Sequence, residues 1–255
     1  MRCLFLAMKM ARRSAQAVSS SSVLLVVCFL CGCSRNDGEP VRGFAFRVEG
    51  TAVVSDRPET NRSRPLSAGA QFSAGEEIRV PAEGSAALCL TPGIYLRCFG
   101  PARVQIDNLR VSKDGDEMRN AMNSRLAAIR LNEGRIHAFL PALGSARTKL
   151  QIQTEAGTIL ANPGALFLVA RKPESIRVLC VHGEVSWIDP PASSTPIEAG
   201  YYCERKLREE GATDALPASE DATAQGEVAA ILDSANYLDE IESATRNAPA
   251  PWRKN

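Results

Sequence analysis

Eight cysteines and two histidines carry most of the reactive chemistry in this chain, and their spacing decides what that chemistry can be. His137 sits in Arg135-Ile136-His137-Ala138-Phe139-Leu140, and His182 precedes Gly183 at a corner. Neither has a second histidine at metal-ligand spacing, and no HExxH or zinc-type His/Cys pattern is present. In a strand, His137 lies opposite the Ile136, Ala138 and Leu140 face, so it is expected on a sheet surface. No GxSxG elbow, SxxK, GxGxxG or GxxxxGK[ST] phosphate loop occurs. Asp114, Asp116 and Glu117 cluster in a glycine-containing turn, but a calcium loop needs more oxygen ligands in register, so a solvated turn is expected. These residues predict no catalytic site, no metal and no cofactor.

The cysteines divide by position. Residues 1–22 carry Arg2, Lys9, Arg12 and Arg13 and no acid, and Val23 to Leu30 is an apolar run. That run is too short to span a bilayer, which takes ~20 apolar residues, and suits a signal-peptide core. It ends in Leu30-Cys31-Gly32-Cys33, which resembles the lipobox of bacterial lipoproteins. The resemblance implies that residues 1–32 are a lipoprotein signal peptide and that Cys33 becomes the lipidated first residue of the mature chain. An ordinary secretory signal with a coincidental cysteine is the other reading. Arg12-Arg13 lacks the apolar follow-up of a twin-arginine signal, and the Cys28/Cys31 CxxC lies in the cleaved core. Two or more acyl chains hold a protein durably at a membrane, since each buried methylene contributes ~0.8 kcal/mol. Ser34 after the cysteine resembles the outer-membrane default of enteric lipoproteins, so the cell envelope, and the outer rather than the inner membrane, is expected.

Cleavage removes four basic residues and no acid, leaving 26 basic against 29 acidic residues, whereas the full chain has a net charge of +1. Neither balance suits nucleic acid as a partner, because phosphate backbones call for a basic surface. Cys89, Cys98, Cys180 and Cys203 remain, and an even count in an oxidising compartment suggests two bridges with three connectivities. A three-residue Thr91-Pro92-Gly93 loop would set Leu90 against Ile94 and Leu88 against Leu96, with Cys89 and Cys98 on opposite faces. A two-residue Pro92-Gly93 turn would put both on one face. Apolar pairing favours the first. Cys180 lies with Ile176 and Val178, either as a core residue or as a partner for Cys203.

The elements that must position these side chains are mostly strands. Composition is globular, with 45% hydrophobic and 23% charged residues. Residues 33–41 read as a tether and 42–205 as one β domain. Phe44, Phe46 and Val48 alternate with Ala45 and Arg47; Lys149 to Thr154 alternates cleanly; Ala165 to Ala170 is apolar on both faces and is expected to be central, and Val178 to Val181 is similar. Gly50, Gly84, Gly134, Gly157, Gly183 and Gly200 recur at junctions without a fixed period, and each is expected to supply a corner with positive φ. Asp114 to Arg125 interrupts the pattern, with Met118, Met122 and Ile129 at helical spacing, which suggests a short helix or a surface excursion. Residues 206–224 read as a linker. Residues 225–246 read as an amphipathic helix with Val228, Ile231, Leu232, Ala235, Leu238 and Ile241 on one stripe, either docked on the sheet or free to engage a partner. Residues 247–255 are a tail.

The order of junctions resembles the FecR domain, a periplasmic module of bacterial cell-surface signalling. The resemblance runs over residues 47–205, through RVEGTAVV, LSAGAQFSAGEEIRVPAEGSAALCL, TPGIYLRCFGPARVQI, IRLNEGRIHAFLP, LQIQTEAGTILANPGALFLVA, IRVLCVHGEVSWI and PIEAGYYC. Its more specific second half matches at Gly134, Thr154 with Gly157, Gly164 to Val169, Gly183 to Val185, and Ala199-Gly200. It implies an all-β, sandwich- or solenoid-like module of short strands with glycine corners, here with a C-terminal amphipathic helix, working by binding and not by catalysis. FecR regulators carry a cytoplasmic anti-sigma segment and a transmembrane helix before this module. Here the chain is expected to be exported almost from its start, so direct control of a sigma factor does not follow. The expected partners are the membrane, through lipid on Cys33, and an envelope protein or glycan. A structural or adhesive scaffold without signalling is the alternative.

Overall fold

A computed structural model of the chain describes residues 38–56, 62–113, 122–142, 147–189, 193–207 and 214–247. The expected signal peptide, Cys33, the turn expected at Asp114, Asp116 and Glu117, and residues 248–255 of the expected tail lie outside the described residues. The first strands are β1 (Glu39–Pro40), β2 (Gly43–Glu49), β3 (Val53–Ser55), β4 (Ser63–Pro65), β5 (Gln71–Phe72) and β6 (Glu77–Val80). They are followed by β7 (Ser85–Thr91), β8 (Ile94–Lys113), β9 (Met122–Phe139), β10 (Arg147–Thr154), β11 (Gly157–Ala161) and β12 (Leu166–Arg171). The last are β13 (Ser175–His182), β14 (Glu184–Asp189), β15 (Ser193–Glu198), β16 (Tyr201–Lys206) and β17 (Leu216–Pro217). A 3-10 turn at Ala218–Glu220 leads into one helix, α1 (Ala222–Asn247).

The long β8–β9 hairpin organises the body. Its outer half, Tyr95–Phe99 against Arg135–Phe139, is flanked by β7 and β12. Its inner half, Arg103–Lys113 against Met122–Glu133, is flanked by β6 and β10, the latter in parallel. From the first half the ladder runs outward through β2 and β5 on one side and β13, β16 and β17 on the other. From the second it runs through β3 and β4 on one side and β11, β14 and β15 on the other. Leu96, Cys98, Ile136, Phe167 and Val178 from one half meet Ile78, Val104, Ile129, Ile152 and Trp187 from the other in a single core. The all-β expectation holds, in its sandwich form: one continuous sheet bends on itself and buries the face between. Each such aliphatic side chain contributes about 1.5–3 kcal/mol when fully buried.

The bend falls where Gly100-Pro101 and Gly134 cross, and the register slips between Phe99 and Arg103. Gly134 has φ of 91°, and a Cβ there would stand 2.1 Å from the Pro101 carbonyl oxygen. Only glycine lets the two backbones pass so closely with that torsion. Five of the six expected glycine corners do have positive φ; Gly84 does not. It is glycine for space, since a Cβ would lie 2.9 Å from the Glu49 carbonyl oxygen.

Strand β12 lies between β9 and β13 as its two-sided apolarity predicts, and β10 buries Leu150 and Ile152 in alternation. Two expectations are corrected. Met122 to Arg125 is strand, neither a short helix nor an excursion, because it continues the β8–β9 ladder. In β2 the residue in the main core is Ala45, while Phe44 and Phe46 pack on the opposite face. That face is buried too, because α1 lies on it. Ala224, Ile231 and Leu238, each seven residues apart, and Ser234 point down onto the sheet. Leu232, expected in the stripe, is 39% exposed instead. The helix begins at Ala222, inside the expected linker. Asp221 caps it, its Oδ1 accepting from the amides of Thr223 (2.7 Å) and Ala224 (3.1 Å).

Candidate functional site

Strand alternation puts Tyr95, Arg97 and Phe99 of β8 on the outer face, and Arg135, His137 and Phe139 of β9 beside them. The register pairs Arg97 with His137 and Phe99 with Arg135. The four form a square with the arginines on one diagonal. Both guanidiniums lie against the Phe99 ring, Arg97 at 4.9 Å and Arg135 at 4.8 Å from its centroid. Arg97 also meets Tyr237 of α1 at 5.0 Å, and Arg47 reaches that ring at 5.5 Å. The result is a ladder of alternating cations and rings along the flank of the helix, each contact contributing about 0.5–1 kcal/mol.

His137 occupies the expected face but not the expected environment. It is 1% exposed, roofed by α1, with its ring 4.6 Å from that of Phe99. Its Nδ1 lies 2.8 Å from Ser234 Oγ, and that hydroxyl donates to the Ala230 carbonyl at 3.0 Å. The Ser234 hydrogen is therefore spent, so Nδ1–H donates and Ser234 accepts. Burial, helped by the charges of Arg135 and Arg97, pushes the imidazole down to about 3. The ring is neutral, and its Nε2 is a buried acceptor with no partner among the described residues. Such a histidine positions the helix; it does not shuttle protons at neutral pH.

Beside the square a cleft of about 430 Å³ opens where the β8–β9 bend meets the β12–β13 hairpin and the first turns of α1. Phe99, Glu133, Arg135, Arg171, Lys172 and Glu227 are among its lining residues. Three of these charges are already used: Arg171 on Glu155 (3.0 Å), Lys172 on Glu204 (3.2 Å) and Glu227 on Arg177 (3.2 Å). Arg97 and Arg135 face no carboxylate among the described residues.

Arg177 of β13 holds the helix at its other end. It is 5% exposed, donates to Glu204 (2.8 Å), Asp221 (2.6 Å) and Glu227 (3.2 Å), and stacks on Tyr202 at 4.5 Å. The amide of Ala224 and the Arg177 guanidinium hold Asp221 down to about 2. A second polar knot, also absent from the sequence reading, centres on buried Glu77 of β6, which accepts from Arg79 and Arg103. Although burial opposes ionisation, these bonds keep its carboxyl below the usual range.

The four predicted cysteines are all buried, and the structure carries them as thiols without the two bridges their even count suggests. Leu88 pairs with Leu96 as the three-residue loop predicts, but a bulge sets Thr91, not Leu90, against Ile94. Cys98 faces the main core and Cys89 the helix side, so the sheet separates them. Cys203 lies across from Val178, with Cys180 two residues further along the same inward face. Cys180 Sγ donates to the His182 carbonyl at 3.3 Å. Desolvation pushes Cys98 and Cys180 up to about 12 and Cys203 up to about 11, which leaves them poor nucleophiles. His182 is exposed at its corner. Among the described residues no group of three or more metal-ligating side chains comes together.

No family model matches the chain, and no curated protein does. Among solved structures, two crystal structures of a candidate anti-sigma factor from Parabacteroides distasonis ATCC 8503 share 14% and 16% identity with it. Their TM-scores are 0.40 and 0.39, and each match covers 55% of this chain and 59% of that one. The chain is thus similar to them over about half its length and spans less than two thirds of theirs.

Proposed function

We propose that this chain is a lipid-anchored binding module of the cell envelope, of FecR type, in which the β-sandwich holds a ligand or partner and performs no chemistry. The observation that carries the reading is where the sandwich begins. Its first strand residue, Glu39, stands six residues after Cys33. Six extended residues reach about 20 Å, so a lipid on Cys33 would keep the body within that distance of the bilayer. The side chains at hand suit binding. The cysteines are buried, with Cys98, Cys180 and Cys203 held as thiols by desolvation; His137 is held neutral beneath the helix, and the cleft presents arginine, carboxylate and an aromatic ring.

The test is the intact mass of the protein recovered from a membrane fraction. A chain starting at Cys33 with a diacylglyceryl group and an N-acyl chain is the expected result, and Cys33→Ser should leave the membrane fraction. An uncleaved, unlipidated chain in the cytosol overturns the proposal. The scaffold alternative keeps the same fold and anchor, and stable retention on peptidoglycan without any soluble ligand would favour it.

A further inference from the structure

We infer that the cleft beside Arg97, Phe99 and Arg135 binds an anionic sugar: a hexose-sized ring bearing a carboxylate or a phosphate. The inference deepens the binding reading above and does not depend on the anchor. Most described arginines are spent, on Glu49, Glu76, Glu77, Asp107, Glu155, Glu204 or Asp189. Arg97 and Arg135 are not, yet both are held against one ring, which places their guanidinium carbons within about 10 Å of each other. Arg135 lines the cleft and can give an oxyanion there charge-assisted hydrogen bonds, while Arg97, outside the lining, adds its positive charge from the other contact on the Phe99 ring. Glu133 lines the same cleft and offers a carboxylate acceptor to ring hydroxyls. The cleft volume, about 430 Å³, lies in the range of small-ligand sites. The orphaned Nε2 of His137 lies next to Phe99, on the same sheet face. Two cations on one diagonal and a buried acceptor on the other are an arrangement that stability alone does not favour.

Titration calorimetry on the full chain in mild detergent at low ionic strength would use three probes: glucuronate, glucose 1-phosphate and uncharged glucose. At least one charged sugar should bind, with glucose about tenfold weaker or worse; which anion wins distinguishes carboxylate from phosphate. Arg135→Gln should weaken that binding about tenfold or more, and Arg97→Gln, outside the cleft lining, by less than that but by more than the control below. Arg64→Gln, whose guanidinium is paired with Glu76 at 2.9 Å away from the ladder and the cleft lining, should change it less than about twofold. Absence of binding by both anions, equal binding of glucose, or an equal loss in Arg64→Gln would each overturn the inference. The comparison among sugars needs no variant, so a variant that folds poorly does not decide the matter. Loss of sugar binding would leave the lipid result intact, and an unlipidated chain would leave the sugar result intact.

Discussion

Acid should loosen this protein in a pH range where its carboxylates are still silent, and His137 is the reason. In the folded chain the imidazole stays neutral down to about 3, while in the unfolded chain it titrates near 6.5. Between those values the unfolded chain binds a proton that the folded chain does not. Stability is therefore complete above pH 6.5 and declines as pH falls, by about 1.4 kcal/mol per unit. From pH 7.5 to pH 5 the loss comes to about 2 kcal/mol. Glu77, Glu204 and Asp221 have lowered pKa values, so they contribute stability above the unfolded carboxylate range and lose it only as pH drops through that range. The window from 6.5 to 5 isolates the histidine. Urea unfolding followed by circular dichroism at half-unit steps would read the slope, and His137→Phe should flatten it even if the variant is less stable throughout. Ser234→Ala should lower stability while keeping the slope, because it removes the acceptor for Nδ1–H and not the titrating ring. Parallel slopes for wild type and His137→Phe, or an NMR titration placing His137 near 6.5 in the folded protein, would refute the reasoning.

Arg177→Met should cost about 3–5 kcal/mol, because it leaves Glu204, Glu227 and Asp221 facing one another without their shared cation. Hydrogen exchange at the amides of 224–238 should accelerate first as the start of α1 lets go. Gly134→Ala should lower the urea midpoint by an amount worth about 2 kcal/mol or more, since the new Cβ meets the Pro101 carbonyl at 2.1 Å on a backbone with φ of 91°. A thiol reagent should leave Cys89, Cys98, Cys180 and Cys203 unmodified in the native protein and modify all four in denaturant without reductant. Two reactive thiols instead of four would mean that a bridge forms, and Cys180 with Cys203, on one inward face, would be the pair to check.

Strand identity was legible because alternation is local. Lys149 to Thr154 and Ala165 to Ala170 announce their burial in six residues each, and both occupy the places they predict. Burial of the second face was not legible, because it depends on a helix that follows in the chain after a charged stretch. Phe44 looked like core and Ala45 like a spacer; with α1 on the outer face, the small residue fills the tight interior and the large ring fills the space under the helix. His137 was misjudged for the same reason: its face was right, and its roof came from 97 residues away. The square of Arg97, Phe99, Arg135 and His137 could have been half seen, since each strand shows its own alternation. Which residues stand opposite depends on a register that slips at the Phe99–Arg103 bulge, and no local pattern reports that slip.

Charge placement separates what stabilises this fold from what does something else. At Glu77 and at Arg177 a buried or nearly buried ion meets several partners, so its desolvation is offset by bonds that persist only in the native state. At the β8–β9 square the logic is reversed. Two like charges share one ring, no carboxylate among the described residues answers them, and the neutral imidazole beside them keeps a buried lone pair unused. Cation–ring contacts of about 0.5–1 kcal/mol each offset part of that arrangement and cannot replace a counter-ion. Local rules of stability are broken in folded proteins mainly where function requires it. The break here falls at the bend shared by both halves of the sandwich, where the backbone is fixed by Gly134 against Pro101. A rigid bend holds the two guanidiniums ready before any ligand arrives, so little ordering entropy is left to lose on binding.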